Sequence, residues 1–199
     1  NAGAIVVASC LASEISFDTM LDTIRTLCMD PDIDLDKKVY HSEMSHISRN
    51  RAIAYLLESK GYIEKNKDVE NSLHFYVKMC SLSVTAESLA GLGLILANDG
   101  IHPDTGKRLL SSQAVKIVKT LMFTCGMYDG SGEFAVRVGI PSKSGVGGGI
   151  LSVVDGEMGI GIFGPALDKK GNSVAGECVL EYMSHALHLH MFDPQRHTL

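Results

Sequence analysis

Apolar positions in the first part of the chain recur at helical spacing. Asn1 can cap the run from Ala2 to Leu11, and Ser16 can cap the next, in which Phe17, Met20, Leu21, Ile24 and Cys28 share one face. These read as two packed helices. The acidic stretch from Asp30 to Asp36, with Pro31 inside it, reads as a solvated link. Asn50 to Leu57 reads as part of a further helix that stops near Gly61. His41 to Arg49 is polar, and its spacing does not decide between a loop and an exposed first turn. Short helical character is expected around Leu73 to Met79 and a longer helix over Thr85 to Ala97, closed by the sequence NDG. After the turn HPDTGK, Ser112 starts a helix with Val115, Ile117, Val118 and Leu121 as apolar positions.

The pattern changes near Gly126. Phe134 to Val138, Gly149 to Val154 and Met158 to Phe163 read as short strands, the last two joined by the hairpin turn VDGE. GPALDKKGNS then leads into a final helix, roughly Ser173 to His190. A helical majority followed by two or three strands and a terminal helix lacks the alternation of a doubly wound nucleotide fold. It predicts an α+β protein, with a helical cluster packed against an antiparallel sheet whose edge can present a strand to a substrate.

Composition narrows the function. The 199 residues are 45% hydrophobic and 21% charged, and 18 Lys plus Arg against 23 Asp plus Glu give a formal charge of −5. That balance predicts no nucleic-acid partner. The apolar runs are broken before the roughly 18 residues of a spanning helix, so no membrane partner is expected either. The five cysteines are widely spaced; they read as buried free thiols, which suit a reducing, cytoplasmic setting. The glycines after Ser144 precede a strand where a dinucleotide fingerprint follows one, and Gly106-Lys107 is followed by Arg108 where a phosphate loop needs Ser or Thr. His185, His188 and His190 lack a matched carboxylate, and no metal or organic cofactor is expected.

Lys143-Ser144-Gly145, ahead of the strand at Gly149, has more chemical content. Lysine supplies a fixed positive charge, serine a small hydroxyl, and glycine lets a substrate lie close to the backbone, whose following amides can face an oxygen that gains charge in acyl transfer. Alone, the triplet is also what the rim of a hairpin looks like.

Ordered landmarks across the chain add to it: NAGAI from Asn1, HSE with Ser42 and Glu43, RNRAIAYLL with Asn50, YVKMCS from Tyr76 to Ser81, CGMYDGSGEFA from Cys125, GIPSKSGVGGGI from Gly139, PALDKKGNS from Pro165, and MFD at Met191. With these the sequence resembles the serine-dependent glutaminases, relatives in fold of penicillin-binding proteins and class A β-lactamases. The resemblance implies a β-lactamase/transpeptidase-like fold and hydrolysis of L-glutamine to L-glutamate and ammonia through a serine acyl-enzyme, without cofactor, in a homodimer or homotetramer. It also implies a Ser-x-x-Lys helix start. No serine here has lysine three positions later. The family places that motif upstream of NAGAI, so residues 1–199 are expected to be a single catalytic domain whose N-terminal part is missing, and a noncatalytic amino-acid-binding or assembly fragment is the alternative. Hydrolysis of a β-lactam or a D-Ala-D-Ala peptide is a remote one, because the Glu43, Tyr76 and Tyr128 landmarks belong to the glutaminases.

The resemblance also implies roles. Asn1, Glu43 and Asn50 resemble ligands of the amino-acid head group, Tyr76 the tyrosine beside the nucleophile, Tyr128 a substrate contact, and Val146 the backbone oxyanion donor, with Lys143, Ser144 and Gly145 supporting it. By local sequence alone Asn1 and Asn50 read as helix caps, Glu43 as an exposed charge, and Tyr76 and Tyr128 as packed aromatics. Lys78, two residues from Tyr76 on a helix, should face elsewhere, and Ser81 reads as a local cap.

Overall fold

The computed structural model describes residues 1–65 and 67–196. The chain forms two compact units, Asn1–Thr26 with Pro31–Val84, and Leu27–Asp30 with Thr85–Leu199. The first unit is built around one apolar core and the second around two.

The first unit holds α1 (Ala2–Glu14), most of α2 (Phe17–Cys28), β1 (Asp34–Leu35), α3 (Lys37–Ser45), α4 (Ser48–Ser59), α5 (Val69–Cys80) and β2 (Leu82–Ser83). Two aspartates set its helix starts. Asp36 accepts from the Lys38 and Val39 amides at 2.8 and 3.0 Å to open α3, and Asp68 accepts from the Asn71 amide at 3.0 Å to open α5. Ile5, Ile47, Leu73 and Val77 are central to its core. The polar stretch from His41 to Arg49 is therefore the end of α3 and the start of α4, with Ile47 as its buried anchor. The acidic stretch is more than a solvated link: Ile33 is buried, and β1 pairs antiparallel with β2 through Asp34↔Ser83 and Leu35↔Leu82. A strand of two residues is too short to show a period.

The second unit holds α6 (Ala86–Ala97), α7 (Ser112–Cys125), a 3₁₀ turn at Tyr128–Gly130, α8 (Ser131–Arg137), β3 (Ser142–Ser144), β4 (Gly149–Val154), β5 (Met158–Phe163) and α9 (Val174–Ala186). The antiparallel sheet runs β3-β4-β5, with Lys143 opposite Leu151 and Ile150 opposite Ile162. Alternate residues of β4 feed two cores, Leu151 and Val153 with Leu96, Val115 and Met122, and Ile150 and Val154 with Phe134, Val138 and Leu180. Thr85 and Ser88 form a reciprocal capping box at the start of α6.

Phe134 to Val138 is not a strand. Residues 131–137 form α8, because Phe134 and Val138, four apart, bury on one side while Arg137 turns to Glu177 and Glu181 at 3.0 and 2.6 Å. The third strand is β3 instead. The terminal helix also ends sooner than expected: Leu187 caps α9, and His188 adopts a left-handed φ of 53° that carries the chain into a turn. Of the five cysteines, all free, only Cys28 is buried, since helical spacing alone does not say which side of a helix is covered. Among the described residues no single helix is long and apolar enough to cross a membrane; only α1 and α2 taken together, across a break, reach that length and apolarity.

Helix α6 lies on the sheet at backbone distance. A Cβ on Gly161 would stand 1.8 Å from the Ala86 carbonyl oxygen, and one on Gly159 would stand 2.2 Å from both the Ala90 carbonyl oxygen and the Leu94 nitrogen. These obstacles are backbone atoms that cannot rotate away. Gly161→Ala is therefore expected to destabilise the fold by more than about 3 kcal/mol, beyond ordinary overpacking. Urea denaturation checks this, with Gly132→Ala, where nothing stands within 4 Å of the added atom, as the control.

Candidate functional site

In the first unit, Asn1 stands at the cap position of α1, but its side chain makes no capping bond. Its Nδ2 donates instead to Asn50 Oδ1 at 2.9 Å, joining the start of α1 to the first turns of α4. Glu43 is exposed on α3, and Tyr76 is half-buried on α5. Two tethers fix these helices. Arg51 donates through Nε and Nη2 to the two carboxylate oxygens of Glu70 at 2.9 and 3.0 Å, linking α4 to α5, and Tyr40 and His74 share a hydrogen bond of 2.6 Å that links α3 to α5. The Glu70 carboxyl is accordingly held below its ordinary range, first by the hydrogen bonds from Arg51.

Cys80 lies one turn beyond Tyr76 on α5. Partial desolvation raises the Cys80 thiol pKa, the Tyr76 hydroxyl opposes that rise, and the Glu43 carboxylate adds to it. Glu43 and Tyr76 are thus both within electrostatic reach of Cys80. Asn1 keeps the cap position without the capping bond, and Tyr76 packs against the core of the first unit, as local sequence suggests. Lys78 faces elsewhere, as expected, with Nζ 5.0 Å from the centre of the Phe17 ring. Ser81 is buried at the C-terminal cap of α5, where its amide donates to the Lys78 carbonyl.

In the second unit, Lys143 and Ser144 point to opposite sides of β3, one exposed and one buried. Lys143 Nζ stands 4.8 Å from the centre of the Tyr128 ring and also donates to the Ser144 carbonyl oxygen. Partial desolvation pulls the Lys143 pKa below its usual range. Ser144 is anchored by its amide, which donates to the Gly126 carbonyl at 3.0 Å, while its buried hydroxyl has no hydrogen-bond partner among the described residues. Gly145 then opens a tight turn: its amide donates to the Gly149 carbonyl and its carbonyl accepts from the Gly148 amide, both at 2.9 Å. The Val146 side chain is 71% exposed at the tip of that turn, and among the described residues no carbonyl takes the Val146 amide. Tyr128, at a left-handed φ of 51°, presents its ring beside Lys143. The structure thus brings Tyr128, Lys143, Ser144, Gly145 and Val146 into one small region of the second unit.

Sequence reasoning did not single out Cys80 as the partner of Tyr76, although the spacing of four on a helix was readable. It also passed over the interior of PALDKKGNS. Gly171 lies against both Tyr128 and Val146, and a Cβ there would stand 3.6 Å from Tyr128 Cε2 and from Val146 Cγ1. Among the described residues no group of His, Cys, Asp and Glu could hold a metal ion.

An α+β chain with a polar cluster across α1, α3, α4 and α5, and a Lys-Ser-Gly strand opening into a glycine turn, matches one family. The model of the family described as Glutaminase matches residues 1–192. This chain belongs to the glutaminase family. It is 50% identical over 195 residues to a glutaminase of Clostridium tetani, covering 96% of this chain and 63% of that one. A glutaminase of Clostridioides difficile is 51% identical, with 96% and 62% covered. Among solved structures, the Bacillus subtilis glutaminase YbgJ in covalent complex with 5-oxo-L-norleucine superimposes with a TM-score of 0.90 at 39% identity, covering 96% of this chain and 68% of that one. The fold is thus the β-lactamase-like one of the glutaminases. The chain spans a little under two thirds of the length of these curated relatives.

Removing the Tyr76 hydroxyl removes the group that opposes the rise of the Cys80 pKa, so Tyr76→Phe should move the pH profile of Cys80 alkylation to higher pH. Iodoacetamide labelling read peptide by peptide, with exposed Cys10 as internal reference, checks this. An unmoved profile counts against the contact.

Proposed function

We propose that the complete protein hydrolyses the side-chain amide of L-glutamine, giving L-glutamate and ammonia. The family match over residues 1–192 carries this reading. It is supported by what was found in two solved relatives: a Bacillus subtilis glutaminase reacted covalently with 6-diazo-5-oxo-L-norleucine, and Mglu, 37% identical with a TM-score of 0.89, was solved in its glutamate form.

In this reading a serine oxygen bonds to the amide carbon, the carbon–nitrogen bond breaks, ammonia departs with a proton, and water then cleaves the acyl-enzyme. Glu43 pairs with the substrate ammonium, and Asn1 and Asn50 offer donors and acceptors to its carboxylate and amine. Tyr76 relays the proton to the leaving nitrogen. The Val146 amide is an oxyanion donor; Tyr128 contacts the substrate, and Lys143, Ser144 and Gly145 hold the segment in place. The nucleophile and its lysine belong to a Ser-x-x-Lys pair that these 199 residues do not contain, so residues 1–199 represent part of one catalytic domain. That same absence favours a second reading for the chain by itself, a noncatalytic amino-acid-binding or assembly fragment.

No step needs a metal or organic cofactor. We also infer a homodimer or homotetramer, as the resemblance to the glutaminases implies. The free thiols suit a reducing cytoplasm.

Three measurements test the reading. The complete protein should release ammonia from glutamine with a kcat/KM well above that for asparagine, whose carbonyl lies one methylene closer to the head group; a preference for asparagine defeats the assignment. In that protein Glu43→Gln should chiefly raise KM, whereas Tyr76→Phe should chiefly lower kcat, by about 10²–10⁴-fold if it transfers the proton. Residues 1–199 alone, at equal concentration and with folding verified, should release no ammonia until the Ser-x-x-Lys segment is restored. Turnover by the short form, abolished by Ser81→Ala or Ser144→Ala, would place the nucleophile inside this chain.

A further inference from the structure

The segment Asp168–Asn172 is built more tightly than a connection between β5 and α9 requires. Asp168 Oδ1 accepts from the Lys170 and Asn172 amides, both at 2.9 Å. The Asp168 amide donates to the Asn172 carbonyl at 2.8 Å, and the Gly171 amide donates to the Asp168 carbonyl at 3.2 Å. These amides hold the Asp168 carboxyl below its usual range, that of Asn172 most strongly. Gly171 sits at φ +97°, a conformation that L side chains rarely adopt.

This turn is tied to the residues around it. Asn172 is fully buried, and its Nδ2 donates to the Met127 carbonyl at 3.2 Å, directly before Tyr128. Lys170 Nζ donates to Glu133 at 2.8 Å on α8. Gly171 is thereby held where a Cβ would come to ordinary contact distance, 3.6 Å, of both the Tyr128 ring and the Val146 side chain. Tyr128 occupies a left-handed backbone conformation that a bulky residue keeps only when its surroundings impose it, and the turn supplies such surroundings from a part of the chain some forty residues away.

We propose that the Asp168–Asn172 turn is a positioning element for amide hydrolysis, with the positive φ of Gly171 letting the turn take its place beside the Tyr128 ring and Val146. This rests on the glutaminase reading, in which Tyr128 contacts substrate and Val146 donates to the oxyanion. A Cβ at Gly171 would meet both neighbours at ordinary contact distance, but φ +97° is strained for any residue with a side chain, so a substitution there shifts the turn and the groups beside it. Small displacements of groups that orient a reacting carbonyl cost turnover more than binding. Gly171 and Asp168 are positioning residues, acting through Tyr128 and Val146.

The test uses the complete protein labelled with 3-fluorotyrosine, with the Tyr128 resonance assigned through Tyr128→Phe. Gly171→Ala is expected to shift that resonance and to lower kcat for glutamine roughly 10- to 100-fold with a smaller change in KM. Lys169→Ala, an exposed neighbour, should change neither. If Gly171→Ala does not fold, Asp168→Ala, which unties the same turn without entering the contact, should give the same two signatures. An unshifted resonance, or kcat within twofold of the parent, in the folded variant overturns the proposal. A shifted resonance in a complete parent protein that hydrolyses no glutamine upholds the contact and overturns the glutaminase reading instead.

Discussion

The second unit depends on the backbone approach of α6 to the sheet. Gly93 on α6 faces Gly159 on β5, and Gly161 on β5 faces the first turn of the helix, so main chain meets main chain where side chains ordinarily hold a helix about 10 Å from a sheet. The close approach has two consequences. It presses Leu96 and Ala97 of α6 into one core with Leu151 and Val153 of β4, and it leaves β4, buried along most of its length, as the fixed centre of a sheet of only three strands. A sheet that small has little stability of its own. Its rigidity comes from the helix laid against it.

That rigidity reaches β3, which pairs with β4 through Ser142↔Ser152, Lys143↔Leu151 and Ser144↔Ile150. Ser142 and Ser152 add a buried hydroxyl contact at 2.7 Å. The register puts Lys143 on the exposed side, and everything that follows, the Gly145 turn and the Val146 amide, is displaced from a known point. A flexible loop carrying the same residues would not hold an amide to the fraction of an ångström that stabilising a developing charge demands.

How much of this was legible in the sequence depended on length. Helices of a dozen residues with capping signals, such as Thr85 to Ala97, were found because several turns of period accumulate, and β4 and β5 because a hairpin turn separates two apolar runs. The two-residue strands β1 and β2 carry no period at all. Phe134 to Val138 was misread because five residues with apolar positions at both spacings fit a strand or one turn of helix equally, and what decides is Arg137, whose partners lie forty residues and more away on α9. The candidate site was legible only through ordered motifs. Local sequence assigned Asn1 to a cap; the contact with Asn50 that gives its amide another use is tertiary and carries no local signal.

The residues proposed to act in the second unit are also those least comfortable where they stand. Lys143 is partly desolvated, Ser144 buries a hydroxyl without a partner among the described residues, and Tyr128 adopts a left-handed backbone. Each is a local cost, of order 1–3 kcal/mol for an unpartnered buried hydroxyl or a strained φ. None lies in the packed glycine contact or in the paired core of β4, where residues agree with their surroundings at every level. A sequence shaped by stability alone would place alanine at Ser144 and glycine or asparagine at Tyr128. That the discomfort is gathered within one small region, beside a turn whose Asn172 is itself fully buried and tied to the Met127 carbonyl, is the physical reason to look for chemistry there.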